Sequence, residues 1–252
     1  MIVTNDHGPI REIRLNRPPV NALTTELLSA LRHALEQATR DGARAIVLSG
    51  SPGIFSAGLD IRLLVGIDHE GITKLWRELY ALMKALATSA IPIAAAITGH
   101  APAGGTVLAL YCDWRVAPTG DFKLGLTETQ VGIPLPPVIL ATLRRQVGPR
   151  VAERLGVGGL IVSSEEAFRV GLVDELAAPE KVLEQAISWC KSLLAVPQEA
   201  MLLTRKRARA DLDALFHQDP QDELQAVTEA WWTTEAQTTL RTIADRMTKK
   251  AS

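Results

Sequence analysis

Two glycine-containing turns are the first places where this sequence could do chemistry. One, at residues 55–60, follows a buried apolar stretch, and the other, at residues 99–105, follows a second such stretch and opens a helical pattern. Turns of this kind expose backbone N–H groups without partners, and their small residues let an oxygen atom approach closely. Two such N–H groups converging on one oxygen make an oxyanion hole. Taken alone, however, such turns more often serve packing than catalysis.

Glu128 is the carboxylate best placed to act as a base. It follows a predicted strand at residues 122–126 and lies between apolar segments, which would put its side chain in a cleft. Desolvation in a cleft raises the pKa of a carboxyl group toward the value that suits a general base. The commoner alternative is a loop carboxylate without a catalytic task, so the assignment depends on the residues around it.

Other reactive residues do not form recognisable sites. The five histidines do not cluster, and the two cysteines, Cys112 and Cys190, are too few and too far apart for a disulfide framework or a metal knuckle. We therefore predict no metal. His100 has no serine or aspartate partner at recognisable spacing, so we predict a packed or turn histidine. The glycines at residues 156–159 lack the third glycine of a dinucleotide fingerprint.

The elements that must position the two turns alternate between strand and helix. Alternating apolar and charged residues predict a strand at residues 10–15, and leucines at helical spacing after Thr24 or Thr25 predict a helix. The chain after Pro136 is mostly helical, and its last third is predicted to contain helices only, which indicates an α/β core followed by a helical module. The other predicted elements are strands at 43–49, 91–98, 113–117 and 122–126, helices at 75–86 and 104–110, and a capping box at 163–166.

Composition and charge favour a soluble globular protein. The chain has 252 residues, of which 47% are hydrophobic and 22% charged, and its net charge of -1 without a long basic run predicts no nucleic-acid or membrane partner. The N-terminus lacks the pattern of a signal peptide, and the most apolar run, at residues 91–97, is too short to span a bilayer. We expect a cytoplasmic protein; a mitochondrial protein whose transit peptide has been removed is the alternative.

Five motifs in order resemble the crotonase (enoyl-CoA hydratase/isomerase) superfamily over nearly the whole chain. Each motif is modest alone, but five in the family order are highly specific. Within the family, residues 125–133 are most similar to the mitochondrial-type isomerases, which move an acyl-CoA double bond from position 3 to position 2. The motifs are Leu15-Asn16-Arg17-Pro18 with Asn21-Ala22-Leu23, Phe55-Ser56-Ala57-Gly58-Leu59-Asp60, Ala103-Gly104-Gly105 followed by Cys112-Asp113, Glu128 four residues before Gly132, and Ala167 with Gly171-Leu172-Val173-Asp174.

The resemblance implies an α/β crotonase fold, with a core of repeated β-β-α units and a C-terminal helical region. We place the core domain at residues 1–195 and a helical oligomerisation region at residues 196–252. Members of the family usually form trimers or dimers of trimers with the C-terminal helices at the interface. A homotrimer or a dimer of trimers is therefore expected here.

The resemblance also implies roles for individual residues. Glu128 would be the base, and the backbone N–H groups of Leu59 and Gly104 would hold the thioester oxygen of an acyl-CoA substrate. Coenzyme A enters as part of this substrate, so no separate cofactor is expected. The arginines are candidate phosphate contacts, although single surface arginines are more often simply solvated. The predicted substrate-binding residues are Arg17, Ala22, Ala57, Gly58, Asp60, Arg62, Val107 and Ile133.

Val107 distinguishes between two reactions of the family. Hydratases carry a second glutamate three residues after the oxyanion glycine, and here that position is Val107. Residues three apart share a helix face, so Val107 should face the same cleft as Gly104. Moving a double bond needs one base, whereas adding water benefits from two carboxylates, so isomerisation is favoured. The alternatives are hydration or another crotonase reaction, such as thioester hydrolysis, and a catalytically silent acyl-CoA-binding protein. The segment at residues 63–80 would build the distal acyl pocket.

Overall fold

The computed structural model of the protein describes residues 1–249, with side chains described through residue 246. Two sheets carry the fold: a six-stranded sheet with the order β1-β2-β3-β5-β7-β10 and a four-stranded sheet with the order β4-β6-β8-β9. The strands are β1 (Ile2–His7), β2 (Ile10–Leu15), β3 (Ala45–Ser49), β4 (Gly53–Ile54), β5 (Ile93–Ala96), β6 (Gly99–Pro102), β7 (Trp114–Pro118), β8 (Lys123–Gly125), β9 (Ile161–Ser163) and β10 (Glu175–Ala177).

The helices follow the strand pairs or form the C-terminal part of the chain. They are α1 (Thr25–Arg40), α2 (Ile61–Leu64), α3 (His69–Ala87), α4 (Gly104–Leu110), α5 (Pro137–Val147), α6 (Pro149–Gly158), α7 (Ser164–Arg169), α8 (Val182–Leu194), α9 (Gln198–Ala208), α10 (Ala210–Ala214), α11 (Gln221–Trp231) and α12 (Thr234–Lys249), with 3-10 helices at Glu128–Val131 and Pro179–Lys181.

Successive strand pairs are divided between the two sheets. The first strand of each pair, β3, β5 or β7, lies in the larger sheet, and the second, β4, β6 or β8, lies in the smaller one. A helix follows each pair: α2 and α3, then α4, then α5. This repeated β-β-α arrangement confirms the predicted fold. It also places the ends of the short strands β4 and β6 where the chain turns into a helix.

Local sequence accounts for the elements around the site. Thr24 caps α1 by accepting a hydrogen bond from the Leu27 N–H at 3.3 Å, and the buried leucines that follow belong to a helix that packs on α3 and on strands β1 and β2. Half of the predicted capping box forms: Ser163 accepts a hydrogen bond from the Glu166 N–H at 3.2 Å, but the Glu166 carboxylate accepts from Arg154 and Arg169 instead of the Ser163 N–H. All five residues of β3 are buried, as expected for a parallel strand covered on both faces.

Five short or edge strands were not predicted. Two of them, β4 and β6, lie in glycine-containing stretches that were predicted as turns, so residues 99–102 of the second turn are in fact a strand. The last third of the chain is not purely helical, because β10 pairs in parallel with β7, and β9, earlier in the mostly helical stretch, pairs antiparallel with β8. Each has three residues, too few to show a period of two. The edge strand β1 was also not predicted. It is largely exposed and so lacks the apolar alternation of a half-buried strand.

The C-terminal helices pack back onto the core. Leu212, Phe216, Leu224, Trp231 and Leu240 belong to the same buried cluster as the residues of α1 and α3. A division of the chain at residue 195 stays a prediction, and residues 250–252 of the predicted helical region lie outside the described residues. Within residues 1–249, no helix has both the length and the apolar character needed to cross a membrane.

Candidate active site

Parallel pairing of β4 with β6 brings the two glycine turns together. In this register Gly53 lies opposite Gly99 and Ile54 opposite His100. The backbones approach so closely that a Cβ atom on Gly99 would meet the main chain of Gly53. Both strands then end at the same edge of the smaller sheet, as parallel neighbours do, and each runs into one of the two turns. The turns that sequence analysis singled out are therefore neighbours.

Hydrogen bonds fix the first turn and leave one N–H group free. The Gly58 N–H donates to Ser56 Oγ at 3.2 Å, and the Asp60 N–H donates to the Leu23 carbonyl at 3.0 Å. Between them, the Leu59 N–H has no acceptor among the described residues. The Asn21 side chain supports this turn from outside by donating to the Phe55 carbonyl at 3.1 Å. The Leu59 amide is thus held in place and available.

The second turn presents the Gly104 N–H in the same way. Ala103, the residue before α4, has φ 49° and ψ -121°, a conformation that non-glycine residues rarely adopt. Gly104 is the first residue of α4, so its N–H has no partner within the helix. A Cβ atom on Gly104 would lie 3.6 Å from the Leu59 nitrogen. The two free amides are adjacent, and the helix N-terminus favours negative charge between them.

Glu128 begins the 3-10 helix Glu128–Val131, after β8. Glu128 as a whole is half-buried. Its carboxylate oxygen Oε2, however, is fully enclosed and has no hydrogen-bond partner among the described residues. Burial raises the pKa of Glu128 to about 7, against the opposing effect of hydrogen bonds from the backbone N–H groups of Glu128 and Thr127. A carboxyl group with this pKa can both accept and return a proton near neutral pH.

Gly132 fixes the end of the 3-10 helix that carries Glu128. It has φ 77°, and a Cβ atom there would lie 3.1 Å from the backbone of Ala236 in α12. The Gln130 side chain holds the same segment by donating to the Gly159 carbonyl at 2.7 Å. The spacing of Glu128 and Gly132 therefore has a structural cause: only glycine allows both the turn and the close approach of α12.

A cavity of about 640 Å³ joins the amides to the carboxylate. Six residues from the predicted site line it: Ala57, Leu59, Gly104, Val107, Glu128 and Ile133. Val107 and Ile133 are both buried, and they make the parts of the cavity wall that they line apolar. Glu128 is the one carboxylate among the described lining residues. The cavity therefore contains one carboxylate and two free amides within partly apolar walls.

Five of the predicted binding residues do not line this cavity. Arg17 and Asp60 pair with each other, Nη2 to Oδ2 at 2.8 Å, and Asp60 also caps α2. Ala22 is buried, and Gly58 lies behind the two free amides. Arg62 is exposed on α2. The contribution of these residues to substrate binding stays a prediction.

Sequence reasoning missed much of the cavity wall. Trp76 and Leu79 lie in the segment predicted to build the acyl pocket, but α12 and the end of α11 were not assigned to it. They carry no motif, and only their position in the fold brings them to the cavity. The residues they contribute are Trp231, Thr238, Thr239, Leu240, Thr242, Ile243 and Arg246.

The prediction that His100 is a packed histidine is confirmed. Its Nδ1 accepts a hydrogen bond from the Lys123 N–H at 3.1 Å, and its ring packs against Phe122. Within residues 1–249, no three His, Cys, Asp or Glu side chains are grouped so as to hold a metal ion.

Known proteins share both the sequence pattern and the fold. The sequence profile of the enoyl-CoA hydratase/isomerase family matches residues 5–245. The chain belongs to this family. Human mitochondrial enoyl-CoA delta isomerase 1 is 36% identical over 213 residues, covering 83% of this chain and 70% of that protein. A probable enoyl-CoA hydratase of Mycobacterium avium is also 36% identical, over 207 residues that cover 80% of this chain and 77% of that protein.

Among solved structures, human mitochondrial delta3-delta2-enoyl-CoA isomerase superposes on this member of the enoyl-CoA hydratase/isomerase family with a TM-score of 0.94. The two share 30% sequence identity, and the match covers 100% of this chain and 99% of that one. The predicted family and the predicted crotonase fold are therefore both confirmed.

Proposed function

We propose that this enzyme isomerises 3-enoyl-CoA thioesters to trans-2-enoyl-CoA, with Glu128 as its single acid and base. The observation that carries the proposal is that Glu128, whose carboxyl group is largely desolvated, lines the same cavity as the free Leu59 and Gly104 amides. This pairing of a base of raised pKa with two neighbouring free N–H donors suits proton abstraction next to a thioester carbonyl.

The reaction conserves every atom of the substrate. Glu128 takes a proton from C2, and the electron pair moves through the carbonyl to give a dienolate whose oxygen accepts hydrogen bonds from Leu59 and Gly104. The same carboxyl group then returns the proton to C4, and the double bond re-forms between C2 and C3. Donors aimed at the developing oxyanion stabilise the transition state more than the ground state, which is what lowers the barrier.

Val107 supports isomerisation over hydration. It lines the cavity from α4, one helical turn after Gly104, and is almost fully buried. Adding water would benefit from a second carboxylate to hold the water molecule, and Glu128 has none beside it among the described lining residues. An apolar wall at this position also keeps water away from the dienolate.

Hydration of 2-enoyl-CoA is the second candidate function, favoured by the hydratase name of the Mycobacterium avium relative. An assay of purified protein on 3-enoyl-CoA and on trans-2-enoyl-CoA, side by side, separates the possibilities. Isomerisation forms 2-enoyl-CoA from the first substrate and leaves the second unhydrated. Efficient hydration with no action on 3-enoyl-CoA contradicts the proposal, and binding without any turnover indicates a silent acyl-CoA-binding protein.

We further propose that the enzyme assembles as a homotrimer or a dimer of trimers through residues 196–252, and that it works in the cytoplasm without a metal. Light scattering at micromolar protein concentration tests the assembly. We expect a mass of three or six times 27.3 kDa, and a monomer mass across the concentration range contradicts it.

A further inference from the structure

We propose that the cavity is a blind acyl pocket whose inner end is closed by Trp76 and Leu79, and that this end limits the accepted acyl chain to about 12 carbons. The inference rests on the proposed function and extends it from acyl-CoA thioesters in general to those of short and medium chain length. Trp76 and Leu79 lie three residues apart in α3, so they share the helix face that lines the cavity.

The exposed part of the cavity lining lies on one side. Five described lining residues are exposed, and all of them come from the 3-10 helix Glu128–Val131, from β9 or from α12. Four of the five are polar, which suits the polar pantetheine arm of coenzyme A. The mouth of the cavity therefore lies beside these three elements. The exposed residues are Gln130, Ile161, Thr238, Thr242 and Arg246.

The lining contributed by α3, α4, α5 and α11 is buried. The side chains that these helices contribute are all apolar or aromatic, none is more than 4% exposed, and all belong to the same hydrophobic cluster in the core. A wall made of core residues does not open to solvent, so the cavity is closed where these helices line it. The side chains are Trp76, Leu79, Val107, Ile139 and Trp231.

An acyl chain binds with its tail toward the closed end. Burying a methylene group in apolar surroundings strengthens binding by up to about fourfold, whereas the polar arm of coenzyme A keeps its hydration at the mouth. The helices α3 and α11 pack against each other and carry neither the free amides nor the base. They form the part of the closed wall that is left for the tail, and α3 contributes two of their three lining side chains.

The volume of the cavity sets the length of the chain. A volume of about 640 Å³ accommodates roughly 20 non-hydrogen atoms, at about 30 Å³ for each group the size of a water molecule. The thioester and the adjoining part of the pantetheine arm take up some of this space, which leaves room for about 12 acyl carbons. A longer tail would have to displace side chains of a close-packed core.

Binding of saturated acyl-CoA esters tests this inference. Calorimetry on the wild-type protein compares even-numbered chains from C4 to C16, each below its critical micelle concentration. We expect the affinity to rise with each added methylene and to level off or fall beyond about C12. An affinity that continues to rise through C16 overturns the inference, and this result does not depend on the folding of any variant.

Two substitutions test the residues that close the pocket. Trp76→Leu and Leu79→Ala should each move the point where the affinity levels off to chains about two carbons longer, because each removes side-chain volume from the closed end. Affinity for the C6 ester should change less than twofold. Leu82→Ala and Tyr80→Leu are the matched controls, since both residues are buried on α3 and do not line the cavity.

The same shift in the control variants, or no shift in either cavity variant, overturns the assignment of the closed end. The ligands are saturated and do not react, so a chain-length limit without isomerase turnover contradicts the proposed function alone. Isomerase turnover together with an affinity that rises through C16 contradicts this inference alone.

Discussion

Gly58 lies against Gly104 so closely that a Cβ atom on Gly58 would stand 2.9 Å from the Gly104 nitrogen and 2.8 Å from the Ala103 Cβ atom. Gly58 also has φ 81°, a conformation that suits glycine. The two glycine turns are thus not merely neighbours. The absence of a side chain in the first turn sets the position of the free amide in the second.

Gly58→Ala should therefore damage catalysis more than stability. The methyl group pushes the Gly104 amide out of position, and loss of one oxyanion-hole donor typically costs about 10²–10³ in kcat. Steady-state kinetics on 3-enoyl-CoA measures this loss. Gly53→Ala is the control, because Gly53 has φ 83° but no atom within 4 Å of its added Cβ. Equal kinetic losses in both variants would assign the effect to backbone strain alone.

Glu128→Gln should reduce isomerase turnover by about 10²–10⁴ or more, since the amide cannot accept the C2 proton. Acyl-CoA affinity, measured with a saturated ester, should survive because the replacement is nearly isosteric. Above pH 7 the variant should also be more stable to denaturant by about 1–3 kcal/mol, because the wild-type protein then buries a charge. This stability difference should vanish near pH 4.5, where the wild-type carboxyl is protonated.

Glu223→Gln provides the matched control for Glu128→Gln. Burial raises the pKa of Glu223 as well, but this residue does not line the cavity. Its turnover should stay near the wild-type level. Near-normal turnover by Glu128→Gln would instead mean that another residue is the base. The isomerase proposal would then lose its main support.

The pH dependence of kcat/KM should report the titration of Glu128. The carboxylate is the active form, so activity should be lost below its pKa of about 7 and reach a plateau above it. At pH 6 we expect roughly one-tenth of the plateau value. Binding of a saturated acyl-CoA over the same range controls for titration of the coenzyme. A plateau that extends down to pH 5 would contradict a desolvated base.

Asp113 joins the C-terminal helices to the core, and Asp113→Asn should destabilise the protein. Arg205 donates to both carboxylate oxygens at 2.8 Å, and Arg209 approaches within 3.2 Å. All three side chains are largely buried, so removing the negative charge leaves two unpaired cations at a cost of about 3–5 kcal/mol. Urea denaturation measures the change.

Asp211→Asn is the matched control for Asp113→Asn, since Asp211 pairs with Arg145 at the surface. Its effect should stay within about 1 kcal/mol. Similar losses in the two variants would mean that burial does not strengthen the Asp113 cluster.

The parts of the site that could be predicted from sequence are those fixed by local backbone chemistry. The Gly58 and Gly104 turns were identified because glycine at a strand-to-helix turn signals free N–H groups. The start of α1 was likewise predicted at Thr24 or Thr25, and Thr24 is the residue that caps it. The Arg17–Asp60 pair was not predicted, because each residue considered alone is typical of a surface charge. Only the fold brings Arg17 Nη2 to 2.8 Å from Asp60 Oδ2.

The cavity wall from α12 was missed for a related reason. Thr238, Thr242 and Arg246 form no motif, and their spacing fits any helix with one polar face. Their contact with the cavity depends on Gly132, which lets α12 lie against the segment that carries Glu128. Helical periodicity predicts that a helix exists but not which neighbour it covers, so tertiary packing decides this part of the site.

The wall contributed by α11 and α12 has a consequence for biosynthesis. The free amides come from residues 59 and 104 and the base from residue 128, but the cavity closes only with residues as late as 246. A nascent chain that has already folded its two sheets therefore has the two free amides and Glu128, but not the cavity wall that α11 and α12 contribute. We therefore expect acyl-CoA binding only after α12 has left the ribosome and docked, so a stop codon at position 233, just before α12, should yield a poorly binding product.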